Sequence, residues 1–246
     1  MKSVSFNTSP ILKPKKMSVY SLKNFLSKSS QDADLPEAFQ LESPYMLKVD
    51  LKGTAWMKTG AMTAYRGNIG FKREGMLERG LGMFVKKALT GEGASLTKAE
   101  GTGELFLADR GKKISVIHLE NEAICVNGND VLAFDPTIRY NITMLKKVAG
   151  MLAGGLFNIR LEGTGYIAIT THYEPLTLHV TPNMPVVTDP NATVAWAANL
   201  QPEIRTDISF GTFLGRGSGE SIQMVFSGEG FVVVQPYEEV YLQETS

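Results

Sequence analysis

Three Gly-x-Gly triplets, at residues 101–103, 163–165 and 228–230, are the first candidates for chemistry in this chain. Glycines so spaced let backbone amides approach a phosphate. A dinucleotide loop, however, needs Gly-x-Gly-x-x-Gly between a strand and a helix, so that amides at the helix N-terminus meet the anion. Here the triplets lead into "ELFLAD", "YIAIT" and "FVVVQP", which read as strands. A turn or bulge with positive φ, or a close backbone approach, accounts for Gly101, Gly103, Gly163, Gly165, Gly228 and Gly230 alike.

Other reactive residue types are sparse. The three histidines, His118, His172 and His179, lack the short His-x-His spacing and adjoining carboxylates of a zinc or iron site. His172 and His179 flank an expected turn, and ordinary hydrogen bonding suffices for them. "GRGSGES" (215–221) misses the Gly-x-Ser-x-Gly frame by one position, in a chain without the strand–elbow–helix pattern that frame requires. Cys125 lies in an apolar run and reads as a small buried hydrophobe. Glu92, Glu100 and Glu104 crowd one segment, but Glu100 aligns with Glu162, which points to an architectural role. No catalytic residue, metal site or cofactor is expected.

The elements that carry these residues recur. Downstream of the glycine triplets lie "VLAFDPTI" (131–138) and "TVAWAANL" (193–200), and "MTAYRGNI" (62–69) fits the same Ala-aromatic pattern. Gly101 to Ala133 is 32 residues, and Gly163 to Ala195 is again 32. A glycine cluster precedes each triplet at 91–96, 154–159 and 217–222. Self-similarity at a fixed period signals a repeat architecture. The reading is repeat B over 91–140, repeat C over 154–205, and repeat A split between 44–72 and 217–236. A repeat divided between the two ends fits a ring closed by pairing of the terminal strands, which leaves no free edge. "KKISVIHLE" (112–120) and "PLTLHV" (175–180) read as strands, and "NGND" (127–130) and "DPNA" (189–192) as turns.

Helix is expected only in the connections. Residues 74–91 carry near-helical apolar spacing, and 143–155 and 209–219 occupy the corresponding places. All three are apolar and glycine-rich. Leu81, Phe84, Val85, Met151, Leu152 and Phe213 are therefore candidate interface residues, packed on the sheets or against another subunit. Lys86 and Lys87 beside Met83, Phe84, Val85 and Leu89 offer an alternative docking segment for anionic lipid.

The 246 residues hold 25 basic and 25 acidic side chains. Zero net charge disfavours general nucleic-acid binding, which needs a positive field. One cysteine permits no internal disulfide and fits a reducing, cytoplasmic setting. No apolar run approaches a transmembrane span of about 18 residues. The first 31 residues hold six lysines and no acid, and are read as an arm. The expected organisation is an arm over 1–43, one β domain over 44–237 and a tail over 238–246.

The segments "AWMKTGAMTAYRGNIGF", "LTGEGASLTKAEGTGELFLAD", "AICVNGNDVLAFDPTI", "GGLFNIRLEGTGYIAIT", "VAWAANL" and "GSGESIQMVFSGEGFVVVQP" resemble bacterial members of the altered-inheritance-of-mitochondria family. The resemblance spans about residues 44–236. It implies an all-β fold related to the TRAP-like proteins, with internally repeated double-stranded β-helix or sandwich units. With the repeat reading, the expectation is three pseudo-equivalent repeats closed by the terminal strands, with one or two short helices in the connections. It transfers no catalytic or ligand residue, and fold alone does not transmit RNA binding. It also implies a mitochondrial setting if the source is eukaryotic. The expectation is a non-enzymatic scaffold that self-associates. A protein partner, a membrane surface, or a ligand- or RNA-binding role on the shared fold are the alternatives.

Overall fold

The computed structural model describes residues 19–31, 35–73, 96–144, 157–206 and 222–237. The chain divides into two compact units, residues 1–34 and 35–246. In the first, α1 (Leu22–Lys28) is capped by Ser21, whose hydroxyl accepts from the Asn24 amide at 3.2 Å. The helix expected over 74–91 and all six candidate interface residues lie outside the described residues, as does the one expected over 143–155 except for Thr143 and Met144, which are the end of a strand.

The second unit is antiparallel β. Its strands are β1 (Phe39–Ser43), β2 (Met46–Lys58), β3 (Met62–Arg73), β4 (Leu96–Leu107), β5 (Lys113–Asn127), β6 (Val131–Phe134), β7 (Arg139–Met144), β8 (Phe157–Thr171), β9 (Leu176–Val180), β10 (Val186–Thr188), β11 (Thr193–Ala197), β12 (Glu203–Thr206), β13 (Ile222–Phe226) and β14 (Gly230–Val234). Residues 39–43, expected in the arm, belong to the sheet: β1 pairs with β2. Its Phe39 is buried in the adjoining core, which holds it there.

The main sheet runs β3-β4-β2-β6-β8-β5-β11-β14-β9, with β1 on β2 and β7 on β8. A smaller sheet runs β10-β13-β12. Rich alternation of apolar and polar residues builds these strands, and the buried positions collect into three clusters. One gathers β2, β3 and β4 around Leu51, Met57 and Leu105. Another gathers β5 to β8 around Phe134, Ile159 and Ile167. The third holds Trp196, Phe226 and Val232.

Two expectations about chain path change. Gly101-Gly103 and Gly163-Gly165 lie inside β4 and β8, so the chain does not reverse there. Only Gly228 sits at a bend, between β13 and β14. The terminal strands do not pair with each other among the described residues. β14 already has β11 on one side and β9 on the other, while β3 lies against β4. Thus the Ala-aromatic strand at 62–73 finds its glycine partner in the next strand along the chain, not at the C-terminus.

The registers are consistent across the sheet. Tyr65 faces Leu105, Phe134 faces Ile167 and Trp196 faces Val232, each two residues beyond a triplet's second glycine. A register shift immediately precedes Ala64, Ala133 and Ala195 in turn. The expected turns at 127–130 and 189–192 form, closed by Asp130 N–H to Asn127 O (2.9 Å) and Ala192 N–H to Asp189 O (3.2 Å).

Candidate functional site

The glycine triplets are places of close backbone approach. A Cβ on Gly101 would lie 1.9 Å from the Asn68 carbonyl oxygen, and one on Gly103 2.1 Å from that of Arg66. Both residues also have positive φ, at 140° and 151°. In β8 the residues pressing on the triplet come from the link between β6 and β7. Thr137 and Asp135 crowd Gly165, and Asp135 accepts the Tyr166 amide at 2.6 Å. Gly228 and Gly230 face Leu200. None of the three triplets precedes a helix, and the first two lie within paired strands.

The histidines do not converge on a metal. His118 packs on Tyr166 with ring centroids 4.7 Å apart, and His172 stacks on Tyr237 at 3.9 Å. His179 faces Phe231 across the β9–β14 pair. No group of three His, Cys, Asp or Glu suited to a metal occurs among the described residues. Cys125 is buried, and burial pushes its thiol up, away from the reactive thiolate.

The carboxylates singled out in the sequence are held by cations. Glu100 pairs with Lys72 at 2.7 Å and Lys98 at 2.5 Å, and those hydrogen bonds hold its carboxyl down at about 2. Glu162 is lowered likewise by Arg160 and Arg139. Glu104 binds Arg66. Glu92 and the "GRGSGES" segment lie outside the described residues.

The densest polar constellation was not anticipated. Lys58 reaches Asp109 Oδ2 at 2.8 Å and the Asn129 carbonyl at 2.7 Å. Lys112 meets Asp130 Oδ1 at 2.9 Å, and Thr170 Oγ1 donates to Asp109 Oδ2 at 3.2 Å. Asp130 and Lys112 are almost wholly buried. Burial raises the Asp130 carboxyl to about 6, against the pull of Lys112. The cluster joins the turns at 58–61, 108–112 and 127–130 to the end of β8. Its members come from hairpin ends up to 71 residues apart, so no short motif announces them. The opposed charges neutralise one another, and the arrangement pins turns together.

The sheet also has two bare ends. β3 is exposed at almost every position except Ile69 and Phe71, and Tyr65 is 47% exposed. β9 ends the other side of the main sheet, and β10 ends the smaller one, with Val187 51% exposed.

A family model described as mitochondrial biogenesis AIM24 matches residues 39–237, the same span as the sheets. No curated relative matches the sequence. A crystal structure of a Streptococcus pyogenes protein, solved as a structural-genomics target, is similar in fold, with a TM-score of 0.63. It is 22% identical, and the alignment covers 81% of this chain and 92% of that one. With the match running through all the strands from β1 to β14, the chain belongs to the mitochondrial biogenesis AIM24 family.

Proposed function

We propose that this protein is a non-enzymatic scaffold of three TRAP-like β repeats whose task is assembly. The observation that carries the reading is the strand order. It divides into β3-β4-β2, β6-β8-β5 and β11-β14-β9, each an Ala-aromatic strand, a glycine strand and the strand that precedes them in sequence. The repeats then run in one piece each, over about 46–107, 113–171 and 176–234, with none split between the termini. Corresponding backbone bonds support the division. Ala108 donates to Ala61 O (2.9 Å), Thr170 to Asp130 O (2.8 Å) and Gln235 to Ala192 O (2.9 Å).

The reading also rests on where the charges go. Among the described residues, cross-strand pairs and the buried cluster engage Glu100, Glu104, Glu162, Asp109 and Asp130 with cations. A repeat array of this kind presents surfaces and edges for binding neighbours. We place it in the cytoplasm, or in the mitochondrion if the source is eukaryotic. Sedimentation velocity on the full chain, from about 1 to 100 μM, tests the reading, since assembly by mass action depends on concentration. A species growing beyond one chain is expected. A single-chain particle throughout that range would overturn the assembly role.

A further inference from the structure

Neighbouring groups of strands are joined by short junctions of one design. Met57, the residue before the turn at 58–61, faces Ala133, and Trp56 faces Phe134. Val126, the residue before the turn at 127–130, faces Ala195, and Cys125 faces Trp196. In each junction the residue before a turn meets the alanine of the next Ala-aromatic strand, and the preceding residue meets the aromatic. Both aromatics are buried, Phe134 at 0% and Trp196 at 2% exposure.

The chain holds the two halves of a third such junction, and these are not paired with each other among the described residues. Thr188 precedes the turn at 189–192, and Val187 precedes Thr188. At the far end stand Ala64 and Tyr65 on β3. Among the described residues, β10 pairs only with β13 and β3 only with β4, so each has one strand neighbour there. Val187 and Tyr65, which occupy the places of Cys125 and Trp196, are both about half exposed.

We infer that a second copy of this chain completes the junction, β10 of one molecule pairing with β3 of the next, Val187 against Tyr65 and Thr188 against Ala64. This deepens the assembly reading and rests on it. Strand addition extends the ladder on both edges at once and covers two exposed apolar side chains. The contact is head-to-tail, so each molecule offers one complementary edge at either end, and the rotation between copies sets ring or fibre. Two or three residue pairs make a small interface, which makes the association concentration-dependent. Arg66, Lys72 and Arg73 on β3 discourage indiscriminate strand pairing along the remainder of that edge.

Thiol crosslinking tests the pairing directly. Tyr65→Cys and Val187→Cys are made separately and together in a Cys125→Ala background, checked for native circular dichroism, and treated with mild oxidant or a short bis-maleimide. A covalent dimer is expected when the two single variants are mixed, none from either alone, and a ladder from the double variant. Tyr65→Arg in the otherwise natural chain should move the assembly midpoint up by about tenfold or more, as loss of an aromatic anchor does. A double variant that links only within one chain would overturn the inference in favour of in-chain closure. Oligomers by sedimentation with no 65–187 crosslink would overturn it too, while leaving the scaffold reading intact. Single chains with no crosslink would end both.

Discussion

Phe134 and Tyr65 occupy the same register against a glycine strand, yet one is fully buried and the other is 47% exposed. Phe134 has β8 on one side and Trp56 of β2 on the other. Among the described residues, Tyr65 has β4 as its one strand neighbour, with Phe71 of its own strand leaning on its ring at 5.4 Å. Local sequence is nearly matched, so the difference comes from what lies across the second edge. Burial here belongs to the junction between strand groups, and a strand with one neighbour cannot supply it.

The largest effect is expected where β3 meets its one neighbour. Gly103→Ala would drive a Cβ into the Arg66 carbonyl and should cost at least about 4 kcal/mol, read by denaturant unfolding or by loss of soluble protein. If β3 simply peeled away at small cost, the contrast between a clamped inner edge and a bare outer edge would fail. Phe134→Ala comes next, at about 3–5 kcal/mol for an emptied core aromatic. Tyr65→Ala, measured on dilute protein, should stay within about 1 kcal/mol, because its site is half open already. Equal losses at the two positions would break the comparison outright.

The buried cluster gives a third test. Asp130→Ala removes the carboxylate that Lys112 meets in the buried cluster and should cost about 3 kcal/mol. Adding Lys112→Met should recover most of that loss, and a double-mutant cycle that came out additive would dismiss the coupling. The smallest effect is at the exposed side of β4. The folded carboxyl of Glu100 lies below its ordinary 4.5, at about 2, chiefly through the Lys72 hydrogen bond from β3. Its contribution is therefore present above about 4.5 and is lost as the pH falls toward about 2. An NMR titration should find that low midpoint, and Lys72→Met should raise it. An unmoved midpoint would mean that β3 contributes nothing to holding Glu100.

The recurring Ala-aromatic and glycine segments were legible in the sequence because their spacing survives in one dimension. Their pairing partners were not. Ala133 follows Gly101 by 32 residues, which suggested that the glycine strand opens a repeat. The hydrogen bonds instead join each Ala-aromatic strand to the glycine strand after it, across a connection whose length carries no pairing signal. The positive φ of Gly101 and Gly103 was foreseen, but a bulge at a reversal and a backbone crossing within a straight strand ask for the same residue. The cluster around Asp130 was invisible for a simpler reason. Lys58, Asp109 and Lys112 look like solvated turn residues until three hairpin ends are brought to one point.

Asp130 stands at the position that Ala61 and Ala192 hold in the other two turns, all three accepting the same backbone bond. Parts that resemble one another this closely invite misassembly, since any Ala-aromatic strand can in principle dock beside any neighbour. A single buried carboxylate paired with Lys112 distinguishes this turn from the other two. It works as an address, telling the folding chain which of three similar corners is the middle one.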